Sequence, residues 1–307
     1  MTELDLTGVF PAMTTPFASD GSIDHETLAE NVRRLEEAGV AGLVPVGSTG
    51  ESATMTHDEH VEVVETTVEA VEDVPVIAGS GSNSTREALE LSRRSAEVGA
   101  DGLLLISPYY NKPEQAGLAD HYRTVADEVD VPQIVYNVPS RTGRNIEPET
   151  AAELAEHENI VGYKAASGDL GQISEVVERT RGEEFAVLSG DDALTLPVLS
   201  VGGVGTISVT ANVEPERTVA MVEAALDGDY DRARELHHEL GPLNRHLFVE
   251  TNPIPVKAAV EMRGHAPGAL RPPLTELREE NAAELRRILD ELDAAREESL
   301  GAAAGAE

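Results

Sequence analysis

The chain has no cysteine and no tryptophan, and aromatic residues make up only 3% of its 307 positions. Without thiols there is no disulfide, no thiolate metal site and no cysteine nucleophile. No apolar run approaches the roughly 20 residues that a membrane-spanning helix needs. Met1–Thr7 has neither the basic patch nor the apolar stretch of a secretory signal, so a cytoplasmic location is expected. Positive charge is scarce: 23 basic residues face 57 acidic ones, for a net charge of −34. Only three of the basic residues are lysines, at Lys112, Lys164 and Lys257. Such a charge repels nucleic acid and anionic membrane, which excludes both as partners. It also strains a compact fold unless salt screens it, and at 1 M the screening length is about 3 Å. The acids gather on helix faces, as at Glu62, Glu65, Glu69 and Glu72. A protein of a salt-loaded, halophilic cell is the reading; an ordinary acidic protein is the alternative, because charge speaks to solubility and not to fold.

What is present is enough apolar material, 40% of the chain, to fill a large core. Eight short, nearly continuous apolar runs alternate with amphipathic stretches: Val9–Thr14, Gly42–Gly47, Val74–Gly79, Gly102–Ser107, Gln133–Val138, Ile160–Ala165, Phe185–Ser189 and Gly203–Val209. Runs of this kind suit strands buried on both faces of a parallel sheet. Helix starts are marked by a capping box at Thr56–Glu59, by Ser84 or Thr85, and by Pro148 in a first turn. Two junctions repeat, Glu37–Leu43 and Glu97–Leu103, each with one glycine to end a helix and another to start a strand. Eight β-runs with intervening helices predict an α/β fold, a closed (β/α)₈ barrel, over residues 1–226. A doubly wound open sheet is the runner-up, but Val9–Phe17 lacks its phosphate-loop glycines. Beyond Leu226 the β-signal stops. Asp229–Phe248, Pro255–Arg263 and Leu274–Glu297 read as helices of a small appendage over 227–307, with an Ala/Gly-rich tail, Leu300–Glu307, expected to fray.

Catalytic groups of a barrel sit at the C-terminal ends of its strands. Of the lysines, Lys112 lies in a loop, Lys257 follows a proline turn outside the barrel, and Lys164 alone is inside an apolar strand. Burial disfavours its ammonium and lowers its pKa from about 10.4, and a neutral amine can attack a ketone to form an imine. A structural lysine paired with a carboxylate is the equally weighted alternative. Ser48 and Thr49, flanked by glycines, suit a small carboxylate, or simply cap a tight turn. Tyr110 and Tyr136 could relay protons or could pack in the core or at its rim. Arg141 can hold a second carboxylate bidentately, or form a surface ion pair.

Gly47–Glu51, Tyr136–Gly143 and Gly162–Lys164 resemble signature segments of the dihydrodipicolinate synthase / N-acetylneuraminate lyase family. The similarity runs from about Gly8 to about Pro273. Tyr136–Gly143, Gly190–Asp192, Ile207–Asn212 and Phe248–Lys257 are most similar to the synthase branch. The resemblance implies that Lys164 forms an imine with pyruvate. It implies proton transfer by Tyr136, relayed by Ser48 and by Tyr110 from a neighbouring subunit. By the same resemblance Thr49 holds the pyruvate carboxylate, Gly190 and the backbone of Ile207 line that site, and Arg141 holds the carboxylate of L-aspartate 4-semialdehyde. The implied assembly is a homotetramer of two dimers. The product would feed lysine and diaminopimelate synthesis. Ser48 stands where the branch usually has Thr, and Ala165 where it often has Glu. Two alternatives stay open: a lyase of the same family acting on a 2-keto-3-deoxy sugar acid or a sialic acid, and a non-catalytic amino-acid-binding paralogue.

Seven further positions, Ser52, Ala53, His57, His60, Asn83, Glu87 and Tyr109, have the residue types of the pattern by which some members bind L-lysine as an inhibitor. The alternative is that Ser52–His60 merely caps and opens a helix. His57 and His60 have no third ligand in view, so no metal is expected, and no cofactor is implied. Asp191–Asp192 reads as a helix cap before a cation site, Gly79–Asn83 lacks the spacing of a phosphate loop, and His237–His238 reads as solvated.

Overall fold

The computed structural model describes residues 4–304. Seven strands alternate with helices along the first three quarters of the chain. Strand β1 (Gly8–Pro11) leads through α1 (His25–Glu37) and α2 (His57–Ala70) to β2 (Ile77–Gly79). Then follow α3 (Thr85–Glu97), β3 (Gly102–Ile106), α4 (Gln115–Glu128) and β4 (Gln133–Asn137). After β4 come α5 (Pro139–Thr142), α6 (Pro148–Ala155), β5 (Ile160–Ala165), α7 (Leu170–Arg179) and β6 (Ala186–Ser189). Helix α8 (Thr195–Ser200), β7 (Gly205–Ser208) and α9 (Pro215–Leu226) complete the alternation. Three helices remain: α10 (Tyr230–His246), α11 (Ile254–Met262) and α12 (Glu279–Ala304). The all-parallel sheet runs in the order β1-β7-β6-β5-β4-β3-β2.

The helices form where the sequence marks them. Asp24 caps α1 through its carboxylate and the Thr27 amide, and Leu28, Val32 and Leu35 at i, i+4, i+7 bury one face. Thr56 and Glu59 make the reciprocal capping box of α2. The repeated junctions behave alike: Gly39 and Gly99 take positive φ (83° and 100°), ending α1 and α3 as only glycine readily does.

The second of the eight runs, Gly42–Gly47, departs from expectation: among the described residues it is not a strand. Pro45 has no amide to donate and Val46 takes φ 50°, so only Leu43 and Val44 reach strand geometry, as isolated parallel bridges to Val76 and Ala12. The run is nonetheless bonded on both sides. Val44 donates to Pro11 O (3.0 Å) and accepts from Met13 (2.9 Å), while Leu43 donates to Pro75 O (2.9 Å) and accepts from Ile77 (2.8 Å).

Alternate strand residues pack inward, bringing Phe10, Val44, Ile77, Leu104, Ile134 and Leu188 into one inner cluster. The opposite faces pack against the helices, with Leu103, Leu105, Val135 and Tyr163 against Leu118, Tyr122 and Ile173. Each fully buried side chain of this size contributes about 1.5–3 kcal/mol of transfer free energy. Helices α10, α11 and α12 share a cluster of Leu243, Val256, Val260, Leu285 and Leu289, closed by Val209 and Val213 from beyond β7. The last helix starts at Glu279, five residues later than expected, and reaches Ala304. The rest of the tail expected to fray, residues 305–307, lies outside the described residues.

Candidate active site

The C-terminal ends of the strands open on a cavity of about 960 Å³. Ser48, Thr49, Tyr136, Arg141, Lys164 and Gly190 are among its walls, so six of the eight residues singled out for chemistry meet at one place. The strand register explains part of this. Lys164 on β5 pairs with Tyr136 on β4 and Leu188 on β6, and its ammonium lies 4.3 Å from the centre of the Tyr136 ring. Gly190 follows β6 by one residue. A Cβ there would stand 2.9 Å from both Cγ and Cε of Lys164, so only glycine lets the lysine stem run past the end of β6.

Lys164 is 5% exposed and, among the described residues, has no hydrogen-bond or ion-pair partner. Burial pulls its pKa down to about 7; the Asp192 charge opposes that fall and the Arg141 charge adds to it. Burial pushes Tyr136 up to about 12, with the Arg141 charge opposing, so its phenol keeps its proton at neutral pH. Lys257 provides the contrast. It is 1% exposed, lies in α11, and its ammonium reaches Glu51 at 2.6 Å and Thr15 O at 2.9 Å. Burial pulls Lys257 down as well, with Glu51 opposing. Of the two buried lysines, Lys164 is therefore the one with no carboxylate in direct contact among the described residues.

Thr49 and Arg141 line the same cavity as this amine. The buried Thr49 hydroxyl accepts a bond from Asn252 Nδ2 (3.0 Å). Arg141 rides on α5, and one of its nitrogens donates to Asn252 O (2.9 Å). Neither this bond nor any ion pair among the described residues neutralises the guanidinium. Ser48 is half-buried, and no protein partner of its hydroxyl is present among the described residues.

Ile207 and Tyr110 are not brought to the cavity. Ile207 is buried in the inner cluster with Tyr136 and Leu188, and Val209 stands at the wall instead. Tyr110 is 90% exposed, with φ 69°, and is not among the lining residues of the cleft.

A second cavity of about 590 Å³ adjoins the first and shares Ser48, Tyr136, Arg141 and Asn252 with it. Six of the seven positions tied to L-lysine line it: Ser52, Ala53, His57, His60, Glu87 and Tyr109. Asn83 does not; its carbonyl accepts from Asn111 Nδ2 (2.9 Å). His60 is buried and held at a pKa of about 4 by that burial, so it is neutral, and its Nε2 donates to Gly79 O (2.7 Å). Glu87 accepts from Ser82 Oγ (2.9 Å) and otherwise faces the cavity.

Two contributors, Asn252 and Lys257, carried no role in the sequence reading, and a third, Asp192, was read there with Asp191 only as a helix cap. Asn252 bonds both Thr49 and Arg141. Lys257 braces Glu51, the last residue of the Gly47–Glu51 segment. Asp192 is a buried carboxylate that accepts from Ser208 Oγ (2.5 Å) and from the amides of Val209 (2.9 Å) and Thr210 (3.1 Å). It thus caps the turn after β7, while Asp191 caps the turn that follows Asp192. Burial raises the Asp192 pKa and these bonds oppose the rise. Asn252 and Lys257 lie in Phe248–Lys257, a segment whose pattern was legible before any contact was. Of the histidine pair His237–His238, only His238 is exposed; His237 is half-buried with an unpartnered Nδ1.

The description of the dihydrodipicolinate synthetase family matches residues 5–292. A curated relative, the 4-hydroxy-tetrahydrodipicolinate synthase of Haloarcula marismortui, is 71% identical over 95% of this chain and 96% of its own. Among solved structures, a chloride-inhibited dihydrodipicolinate synthase of Acinetobacter baumannii complexed with pyruvate is 40% identical, with TM-score 0.92 over 94% of this chain and 99% of that one. A dihydrodipicolinate synthase of Cyanidioschyzon merolae with lysine bound is 40% identical, with TM-score 0.91 over 94% of this chain and 98% of that one.

Proposed function

The chain belongs to the dihydrodipicolinate synthetase family, and on that premise we propose that its cleft condenses pyruvate with L-aspartate 4-semialdehyde. The enzyme is a lyase of Schiff-base type, and its product, 4-hydroxy-tetrahydrodipicolinate, feeds lysine and diaminopimelate synthesis. The observation that carries the reading is Lys164, buried, unpaired and brought to a pKa of about 7 at the wall of a cavity that also holds Thr49 and Arg141. Its neutral amine adds to C2 of pyruvate, water leaves, and the protonated imine loses a C3 proton to give an enamine. The enamine carbon attacks the aldehyde. The amino group of the second substrate then adds to the imine carbon, closing the ring and freeing Lys164. Tyr136 gives and takes protons beside the imine, with Ser48 and a Tyr110 from a second copy as its relay. Thr49 takes the pyruvate carboxylate, with Gly190 beside it and the Ile207 backbone behind, and Arg141 takes the carboxylate of the aldehyde.

Supporting the synthase reading over a sugar-acid lyase is Arg141, which lines the cavity and has no acidic partner among the described residues. Borohydride with pyruvate should add the mass of reduced pyruvate to Lys164. Turnover with a panel of aldehydes should favour aspartate 4-semialdehyde. Preference for 2-keto-3-deoxygluconate or N-acetylneuraminate would overturn the assignment, and absence of both label and turnover would favour a binding paralogue.

The same premise supports a closed (β/α)₈ barrel over 1–226, with Gly42–Gly47 as its eighth, irregular stave bonded to β1 and to the chain at β2. It supports a C-terminal helical domain over 227–307 and a homotetramer in which the exposed Tyr110 is covered by a second copy. It also supports a cytoplasmic site of action. L-Lysine as an inhibitor fits the second cavity, where Glu87 can pair an ammonium and His57 and Tyr109 can line the slot.

A further inference from the structure

Ser48 and Thr49 ride on a short segment, Gly47–Glu51, whose two flanks are strained. Val46 takes φ 50° and Glu51 takes φ 58°. Each such non-glycine residue costs about 1–3 kcal/mol and persists only where its surroundings dictate it. At Glu51 the surroundings are unusually complete. Its side chain is 0% exposed; Oε1 accepts from the Lys257 ammonium (2.6 Å) and Oε2 from the Arg271 amide (3.1 Å). The same ammonium donates to Thr15 O (2.9 Å), and the Thr15 hydroxyl donates to Gly50 O (2.8 Å), next to Glu51. Thr15, Gly50, Glu51 and Lys257 thus form a closed ring, and the Lys257 ammonium stacks on Phe17 at 4.2 Å. Five residues before Lys257, Asn252 holds the Thr49 hydroxyl by its side chain and Arg141 by its carbonyl.

We propose that Lys257 is a positioning residue for pyruvate binding: through Glu51 it fixes the Gly47–Glu51 segment, and with Asn252 it makes residues 252–257 the brace that sets Thr49 against Arg141. The inference rests on the pyruvate reading of the cleft. A buried ion pair taken alone is weak grounds for function, since such pairs are often replaceable by apolar residues at no loss of stability. Here the pair sits on the strained end of the segment that must present the Thr49 hydroxyl to a carboxylate and the Ser48 hydroxyl to the proton relay, where a displacement near 1 Å is worth about a hundredfold in reaction.

The test separates position from stability. Lys257→Met alone would strand a buried carboxylate, so Lys257→Met is combined with Glu51→Gln, which leaves no buried charge. Thr15→Val is the milder variant; it keeps both charges and removes only the hydroxyl bond to Gly50. The readout is the pyruvate concentration that half-saturates borohydride labelling of Lys164, measured with the melting temperature and the pH profile of labelling. The double variant should need about tenfold more pyruvate, and Thr15→Val about threefold more, with the midpoint near pH 7 unmoved in both. Half-saturation within twofold of the wild type in Thr15→Val, whatever the melting temperature does, would overturn the proposal. So would a folded double variant with unchanged half-saturation. Failure to label the wild type would instead sink the pyruvate reading itself.

Discussion

Lys164 and Tyr136 face one another across the pairing of β4 and β5, with the lysine ammonium 4.3 Å from the centre of the phenol ring. The two groups are driven in opposite protonation directions by one cause. Burial favours the neutral form of each, so the lysine loses its proton near pH 7 and the tyrosine keeps its own to about pH 12. The ring face attracts the cation, but only by about 1–2 kcal/mol, which moderates the fall in the lysine pKa without cancelling it. A neutral nucleophile beside a neutral proton donor is the state that imine formation requires.

The rate of reductive labelling by pyruvate should therefore rise with pH through about 7 and level off above it, since the neutral amine is the attacking species. No falling limb from Tyr136 should appear below about pH 11. Labelling independent of pH between 6 and 9 would contradict the depressed lysine.

The same shift makes a stability statement. Between pH 7 and 10.5 the unfolded lysine binds a proton that the folded one does not, so stability rises with pH across that window. Lys164→Met should abolish labelling, raise stability at pH 7 by about 1–2 kcal/mol, and flatten that slope. Denaturant titrations at pH 7 and pH 10 read both effects. A variant less stable than the wild type at pH 7 would mean that the ammonium has a partner in solution.

Tyr136→Phe removes the proton donor without opening a cavity. Turnover should fall by about 10²–10⁴, while borohydride should still trap the imine, only more slowly. A change of less than threefold in turnover would assign the relay to another group.

Arg141→Lys should lose turnover with aspartate 4-semialdehyde and leave pyruvate labelling within about twofold of the wild type, because a planar bidentate fork cannot be replaced by a point charge. Steady-state kinetics on each substrate separate the two. Equal losses for pyruvate and aldehyde would mean that Arg141 holds the site together rather than one carboxylate.

At −34, the surface should repel itself in dilute buffer. Exposed pairs such as Arg93–Glu128 and Arg179–Glu149 return at most about 1 kcal/mol each. The melting temperature should climb between 0.1 M and about 2 M KCl as the screening length shortens. In the same high salt, calorimetry with L-lysine should give a heat of binding, and Glu87→Ala should weaken it by about 1.5–3 kcal/mol. An unchanged melting temperature would count against adaptation to salt, and silence in the calorimeter at millimolar lysine would reduce the second cavity to interface packing.

The order of elements was legible from the chain because it rests on local rules. The apolar runs that became β3, β4 and β5 differ from the observed strands by no more than a residue at one end, as a doubly covered parallel strand reads as a nearly continuous apolar run. The capping box at Thr56 and the paired glycines Gly39 and Gly99 are likewise short-range signals. The exception, Gly42–Gly47, has the same apolar pattern. Its pairing is cut short by Pro45 and by the left-handed Val46.

By itself the sequence determined the alternation of strands and helices, the acidic surface and the singular placement of Lys164 in a strand, because each follows from composition or from neighbours within a few residues. Only the tertiary structure decided which lysine stands unpaired. Lys164 and Lys257 are both buried, and what separates them is Glu51, 206 positions from Lys257 along the chain and 2.6 Å away in space. Likewise Asn252 meets Thr49 across 203 residues. Contacts of that separation arise when residues 252–257 fold back against the Gly47–Glu51 segment, and no local pattern encodes them.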